Sequence, residues 1–319
     1  MAATLSPPPA PLVPDGSADA VVDRVGDDRD DRPHPGTRPE GPRTGTLLAS
    51  ALIGVLVLVL GFLAFLVGGS RLAADRYQAL AYDDLVAALK RTEVPVNGAQ
   101  PIGTPLGLLQ IPQLGLTQVF VQGSSSEQTA LAPGLRPDTS LPGQAGGSVL
   151  VGRRATFGAP FAHLDRLRPG DRFTVTTGQG RFTYVVDLVR TSDAAPTTVP
   201  VVASRLTLVT SDPALAPSRT LTVSARLQGE ALPRTTGAAA GVAARPTDAV
   251  GEGSSDHLVS LVLWSQLLLL VALGLTWAWV RVPQAATLRR SLWIGGVPVL
   301  LALLWTVFGQ LALLLPNTL

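Results

Sequence analysis

Three uncharged, mostly apolar runs, at residues 47–68, 258–280 and 292–315, constrain this chain more than any other feature. A membrane-crossing helix needs about 20 such residues, and each run reaches that length. The runs account for a composition that is 46% hydrophobic and only 15% charged. The first begins 46 residues into the chain, exceeds the apolar stretch of a secretory signal and has no small-residue cleavage pattern directly after it, so it reads as a signal anchor. Trp264, Trp277, Trp279 and Trp293 lie toward the ends of the later runs, where amphipathic rings favour the membrane interface. The segment between those runs, 281–291, carries Arg281, Arg289 and Arg290 without an acid, which places it in the cytoplasm by the positive-inside rule. Counting back, residues 70–256 face outward and the N-terminal tail faces inward, in keeping with Arg38 and Arg43 before the first span. The expectation is a multi-pass plasma-membrane protein with a cytoplasmic N-terminus and an extracytoplasmic middle. Pro298 and Gln310 interrupt the last span, which transmembrane helices tolerate, and Gln310 is a candidate contact to a partner helix.

Around the spans the composition changes sharply. Residues 1–46 hold nine prolines and almost no large apolar residues after Val25, which predicts a disordered tail with a solvated His34. Residues 70–99 have helix-forming composition as far as Pro95 and predict a helical stalk. From 100 to 228 the apolar runs shorten to between four and seven residues separated by Gly, Pro, Asp and Ser, the pattern of an all-β domain. Strands are expected near 106–111, 117–122, 148–153, 172–177, 181–190, 206–210 and 219–227, with short helices over Ser126–Leu131 and Phe161–Leu167. Residues 229–256, rich in Gly, Ala, Pro, Thr and Ser, predict a flexible linker.

Several chemistries are excluded by what the chain lacks. It has no cysteine, hence no disulfide, no zinc thiolate site and no thiol nucleophile. Its three histidines, His34, His163 and His257, have no metal-ligand spacing, and no metal or other cofactor is expected. Net charge is +2 and no basic cluster suits a nucleic-acid backbone, so no nucleic-acid partner is expected.

The chemistry-bearing residues gather in two stretches. RLTLVTSDPALAPSRTLTVSARL, from 205, reads as two strands joined across a Ser-Asp-Pro turn that presents Ser211 and Arg219. SLPGQAGGSVLVGRRATFGAPFAHLDRLRPGD spans 140–171. Together these stretches resemble the sortases, the membrane-anchored cysteine transpeptidases of Gram-positive bacteria. The run from LPGQ to GAPF is most similar to the actinobacterial class E-like branch, with Gly147 in place of the usual asparagine.

The resemblance covers about 40% of the chain and implies a closed β-barrel. It also implies a site in which a thiolate attacks the Thr-Gly carbonyl of an LPXTG-like sorting signal, a histidine handles protons and an arginine steadies the oxyanion. On this chain the Thr-Leu-x-Thr-Cys strand end falls on Thr207–Ser211, with serine at the nucleophile. Gly-His-Arg falls on Gly152, Arg153 and Arg154, with arginine at the base. The third catalytic position is retained as Arg219. Some sortases hold calcium in the loop before the cysteine strand, but 191–204 offers only Asp193.

A serine hydroxyl needs a neighbouring base, and a guanidinium has no lone pair with which to act as one. The expectation is therefore a catalytically inactive sortase-like membrane protein whose barrel binds a protein or a sorting-signal-like peptide at the cell envelope. Arg153, Ser211, Asp212 and Arg219 are the candidate binding residues. Two rival readings are an enzyme using Ser211 with an unrecognised base, and an anionic envelope ligand held between Arg153 and Arg219. Asp212 is a candidate ion-pair partner for either arginine, Arg154 is expected to be structural, and His163 is expected on a surface helix.

Overall fold

A computed structural model describes residues 44–91, 94, 100–193, 204–215, 218–233, 257–281 and 286–319. Most of the N-terminal tail, with His34, and most of the 229–256 linker lie outside the described residues.

Eight strands close into a barrel: β1 (Pro105–Ile111), β2 (Leu116–Gln122), β3 (Gly134–Leu135), β4 (Gly147–Val151), β5 (Arg172–Thr177), β6 (Gly180–Ser192), β7 (Arg205–Asp212) and β8 (Arg219–Gln228). Around the barrel the order is β1-β2-β3-β4-β7-β8-β6-β5, antiparallel except at β2–β3 and β4–β7. Alternation makes the inner face. Phe173 and Val175 of β5, and Leu221, Val223, Ala225 and Leu227 of β8, point into a core with Leu109, Phe120, Leu150, Leu206 and Leu208. In β4 and β7 the intervening residues are buried too, and Val149, Val151 and Val209 form a second apolar cluster, so these neighbouring strands are buried on both faces. β3 has only two residues, too few to show a period.

The helices are α1 (Thr44–Ala64), α2 (Ser70–Arg91), α3 (Ser126–Thr129), α4 (Leu258–Arg281) and α5 (Ala286–Leu313). Among the described residues, three helical stretches are long and apolar enough to cross a membrane. The first is continuous with α2 through a π-turn at Phe65–Gly69. That turn packs against α5: Phe65 meets Trp305 edge-on at 4.8 Å between centroids, and Phe62 meets Phe308 at 5.4 Å. Gly69 permits the contact, because a Cβ there would stand 2.7 Å from the Trp305 ring.

The predicted stalk does not stand clear of the barrel. Ala81 and Leu85 of α2 pack with Val94, Leu108 and Val119. Gln78 closes a two-way bond with the β2 backbone, its Nε2 donating to Val119 O at 3.0 Å and its Oε1 accepting from Val119 N–H at 2.8 Å. α5 begins at Ala286, ahead of the apolar run, because helical hydrogen bonding does not require apolar side chains. The segment 161–167 forms turns and one 3-10 helix at Leu164–Arg166 rather than the expected helix. Leu232, within the predicted linker, bridges Gln144.

Candidate functional site

β4 and β7 run parallel, with Val151 opposite Val209, and end on the same side of the barrel. β4 runs on into Gly152, Arg153 and Arg154, and β7 ends in Thr210, Ser211 and Asp212. Gly152 carries no Cβ because the Phe161 ring occupies that space, at 2.5 Å. Pairing of β7 with β8 then sets Asp212 opposite Arg219.

The three arginines meet different fates. Arg153 is fully buried. Its Nη2 donates to Ser126 O at 3.0 Å and to Ser126 Oγ at 2.6 Å, and its Nη1 donates to Thr156 Oγ1 at 3.2 Å. The guanidinium lies 4.6 Å from the centre of the Phe157 ring, and among the described residues its Nε has no hydrogen-bond partner. No carboxylate pairs with it among the described residues. Burial therefore pulls its pKa down to about 9, which leaves it cationic at neutral pH. Arg154, largely buried, donates to Asp212 Oδ1 at 2.6 Å and to Ser211 O at 2.8 Å. Arg219 is half exposed and donates to Asp212 Oδ2 at 2.8 Å. Asp212 thus joins Arg154 to Arg219, not to Arg153, and no two-arginine cleft forms between Arg153 and Arg219. His163 and Asp193 are both exposed.

The groove between the strand ends is filled by the residues beyond α5. Asn317, Thr318 and Leu319 are buried. Ser126 Oγ donates to Leu315 O at 2.9 Å, and Arg153 Nη1 reaches Pro316 O at 3.5 Å. Asn317 Nδ2 donates to Ser124 O at 2.7 Å. The Thr318 carbonyl accepts from Ser211 Oγ at 2.8 Å and from Arg154 N–H at 3.1 Å. Leu319 O accepts from Ala155 N–H at 2.8 Å, from Thr156 N–H at 3.0 Å and from Thr156 Oγ1 at 3.2 Å. A bond of 3.1 Å from Leu319 N–H to Pro316 O folds the segment into a turn.

Residues 109–228 match the family model of the sortase domain. Sortase E of Streptomyces avermitilis is 30% identical over an alignment covering 41% of this chain and 91% of that one, with a TM-score of 0.36. The chain belongs to the sortase family. Sortase E1 of Streptomyces coelicolor, solved with a tripeptide in its active site, is 25% identical over 42% of this chain and 93% of that one, with a TM-score of 0.37. A Clostridium perfringens sortase transpeptidase is 20% identical over 49% and 99%, with a TM-score of 0.40. No curated protein matches the chain.

Within this sortase domain the serine hydroxyl points its proton at a carbonyl oxygen. A nucleophile would need the opposite arrangement, with the proton held by a base and a lone pair aimed at the carbonyl carbon. Among the described residues no imidazole or carboxylate bonds to Ser211 Oγ; its one bond goes to Thr318 O. Ser211 Oγ and Arg154 N–H, with Thr210 Oγ1 at 3.5 Å, polarise that oxygen much as an oxyanion site would.

Sequence reasoning named Arg153, Ser211, Asp212 and Arg219 but missed Ser126, Thr156 and the entire 315–319 segment. The signal for the segment was present. Leu315-Pro316-Asn317-Thr318 repeats the first four positions of the LPXTG pattern that the resemblance brings with it. It was hidden because Leu315 reads as the last residue of a span.

Proposed function

We propose that the protein is a membrane-anchored, catalytically inactive sortase whose extracytoplasmic barrel binds a sorting-signal-like peptide at the envelope of a Gram-positive cell. The observation that carries this reading is the groove at Ser211. It holds a Leu-Pro-x-Thr main chain in place through Ser211, Ser126, Arg153 and the amides of 154–156, with no base bonded to the hydroxyl. Arginine at the position of the proton-handling group adds to it, since a guanidinium stays protonated at neutral pH. Retention of a peptide-shaped groove without the means to attack is what a binding protein needs.

The orientation is part of the same proposal. Both the end of the π-turn and the end of α5 pack at the barrel, which suits spans whose outer ends share the barrel's side of the membrane. The arginines between α4 and α5 then lie in the cytoplasm.

The test compares the full chain in detergent with Ser211→Ala and with the double reversion Ser211→Cys, Arg153→His, using LPXTG-like peptides and mass spectrometry. The expected result is no cleavage by the native chain or Ser211→Ala. Cleavage by the native chain that Ser211→Ala abolishes would overturn the proposal.

A further inference from the structure

We infer that residues 315–319 are a tethered ligand of the sortase groove, which closes it to other peptides until the segment leaves. The inference rests on the reading of that groove as a peptide site. What distinguishes docking from loose packing is that the carbonyls of Leu315, Pro316, Thr318 and Leu319 each meet a donor of the barrel domain. Ser126 Oγ takes Leu315 O, Arg153 Nη1 takes Pro316 O, Ser211 Oγ and Arg154 N–H take Thr318 O, and Ala155 and Thr156 take Leu319 O. Asn317 adds a contact through its side chain, which donates to Ser124 O. Main-chain recognition of this kind fixes register, while burial of Asn317 and Thr318 fixes what fits at those two positions.

The donors are prepared for the segment. Arg153 is held by Ser126 and Thr156 and stacked on Phe157, whose own N–H donates to Ser70 Oγ at 2.9 Å beside the π-turn. Phe157 packs with Phe65, Ala74, Ala130 and Ala312, so the groove, the first helix and the end of α5 share one apolar cluster. The segment begins within two residues of the end of α5 and has almost no slack. Such a tether acts at an effective concentration on the order of millimolar, against which a peptide of the same sequence in solution must compete. A change in the packing of α5 in the membrane is thereby coupled to access to the groove, since Ala312 and Leu315 cannot shift without drawing Thr318 from Ser211.

The experiment measures amide hydrogen exchange over residues 153–157 and binding of a fluorescein-labelled Leu-Pro-Asn-Thr-Leu peptide. Both are read on the full chain in detergent, on the chain shortened after Leu315 and on full-length Asn317→Ala. The expected result is protection of the 154–156 amides in the full chain and exchange about tenfold or more faster in the shortened one, with a smaller acceleration in Asn317→Ala. Peptide affinity should rise about tenfold or more on shortening, because the fraction of open grooves sets the apparent dissociation constant. Protected amides in β7 and β8 verify that each variant is folded. Equal, fast exchange at 154–156 in all three chains would overturn the tethered ligand while leaving the peptide-site reading standing if the shortened chain binds. Exchange that responds to shortening while no chain binds the peptide would overturn the peptide-site reading and the tethered ligand with it.

Discussion

Arg153 and Arg219 come from the same sequence resemblance, yet they differ in what their removal should do. Arg153 is fully enclosed and is the donor to Ser126 and Thr156. Arg153→Ala leaves those groups short of partners beside a new cavity and should cost about 3 kcal/mol in thermal or denaturant unfolding. Lysine should not restore it, because one ammonium cannot reproduce the planar fork. Arg219 is half exposed and its ion pair is with Asp212, so Arg219→Ala should cost less than about 1 kcal/mol. Tyr184 gives the pH dependence a definite sign. Its hydroxyl accepts from Gly143 N–H at 2.8 Å, and burial raises its pKa from 10.0 to about 12. The unfolded chain releases this proton near pH 10 and the folded chain retains it to about 12, so stability should hold below pH 10 and fall between the two. Tyr184→Phe should remove that part of the alkaline decline, as followed by circular dichroism.

At the scale of elements, the π-turn at Phe65–Gly69 joins a membrane helix to a helix lying on the barrel. A π-turn admits one extra residue per turn and rotates the helix beyond it, which turns Ser70 toward Phe157 and leaves Gly69 beneath Trp305. Gly69→Ala places a methyl group inside the Trp305 ring contact and should destabilise by about 1 to 3 kcal/mol, seen as a lower melting temperature of the full chain in detergent. The pairing of α2 with β2 through Gln78 is a second such junction. Gln78→Ala leaves the buried Val119 N–H without its acceptor, at a cost of about 1 to 2 kcal/mol.

For the whole molecule, the absence of cysteine turns topology into a simple measurement. A single Ser254→Cys should react with a membrane-impermeant maleimide on intact cells, whereas Gln284→Cys should react only after permeabilisation. The reverse pattern would place the barrel in the cytoplasm and remove the envelope from the proposed function.

Much of this protein was legible before any tertiary contact. Span length depends on composition alone, so three membrane-length helices could be read from apolar runs. Short apolar runs bounded by Gly, Pro, Asp and Ser revealed seven of the eight strands, and the two-residue β3 escaped because it is too short to form such a run. Ser211 and Arg153 were found as occupants of positions fixed by motif. What they touch was not legible, because hydrogen-bond partners in a barrel come from remote sequence. Asp212 chose Arg154 and Arg219 over Arg153 because the register of β7 with β8 and the course of the chain after β4 bring those two within reach. The ligand-like segment was written openly as Leu-Pro-Asn-Thr-Leu, but only tertiary structure could decide its place. Nothing local distinguishes the frayed end of a membrane helix from a peptide carried by that helix into a groove formed more than a hundred residues earlier.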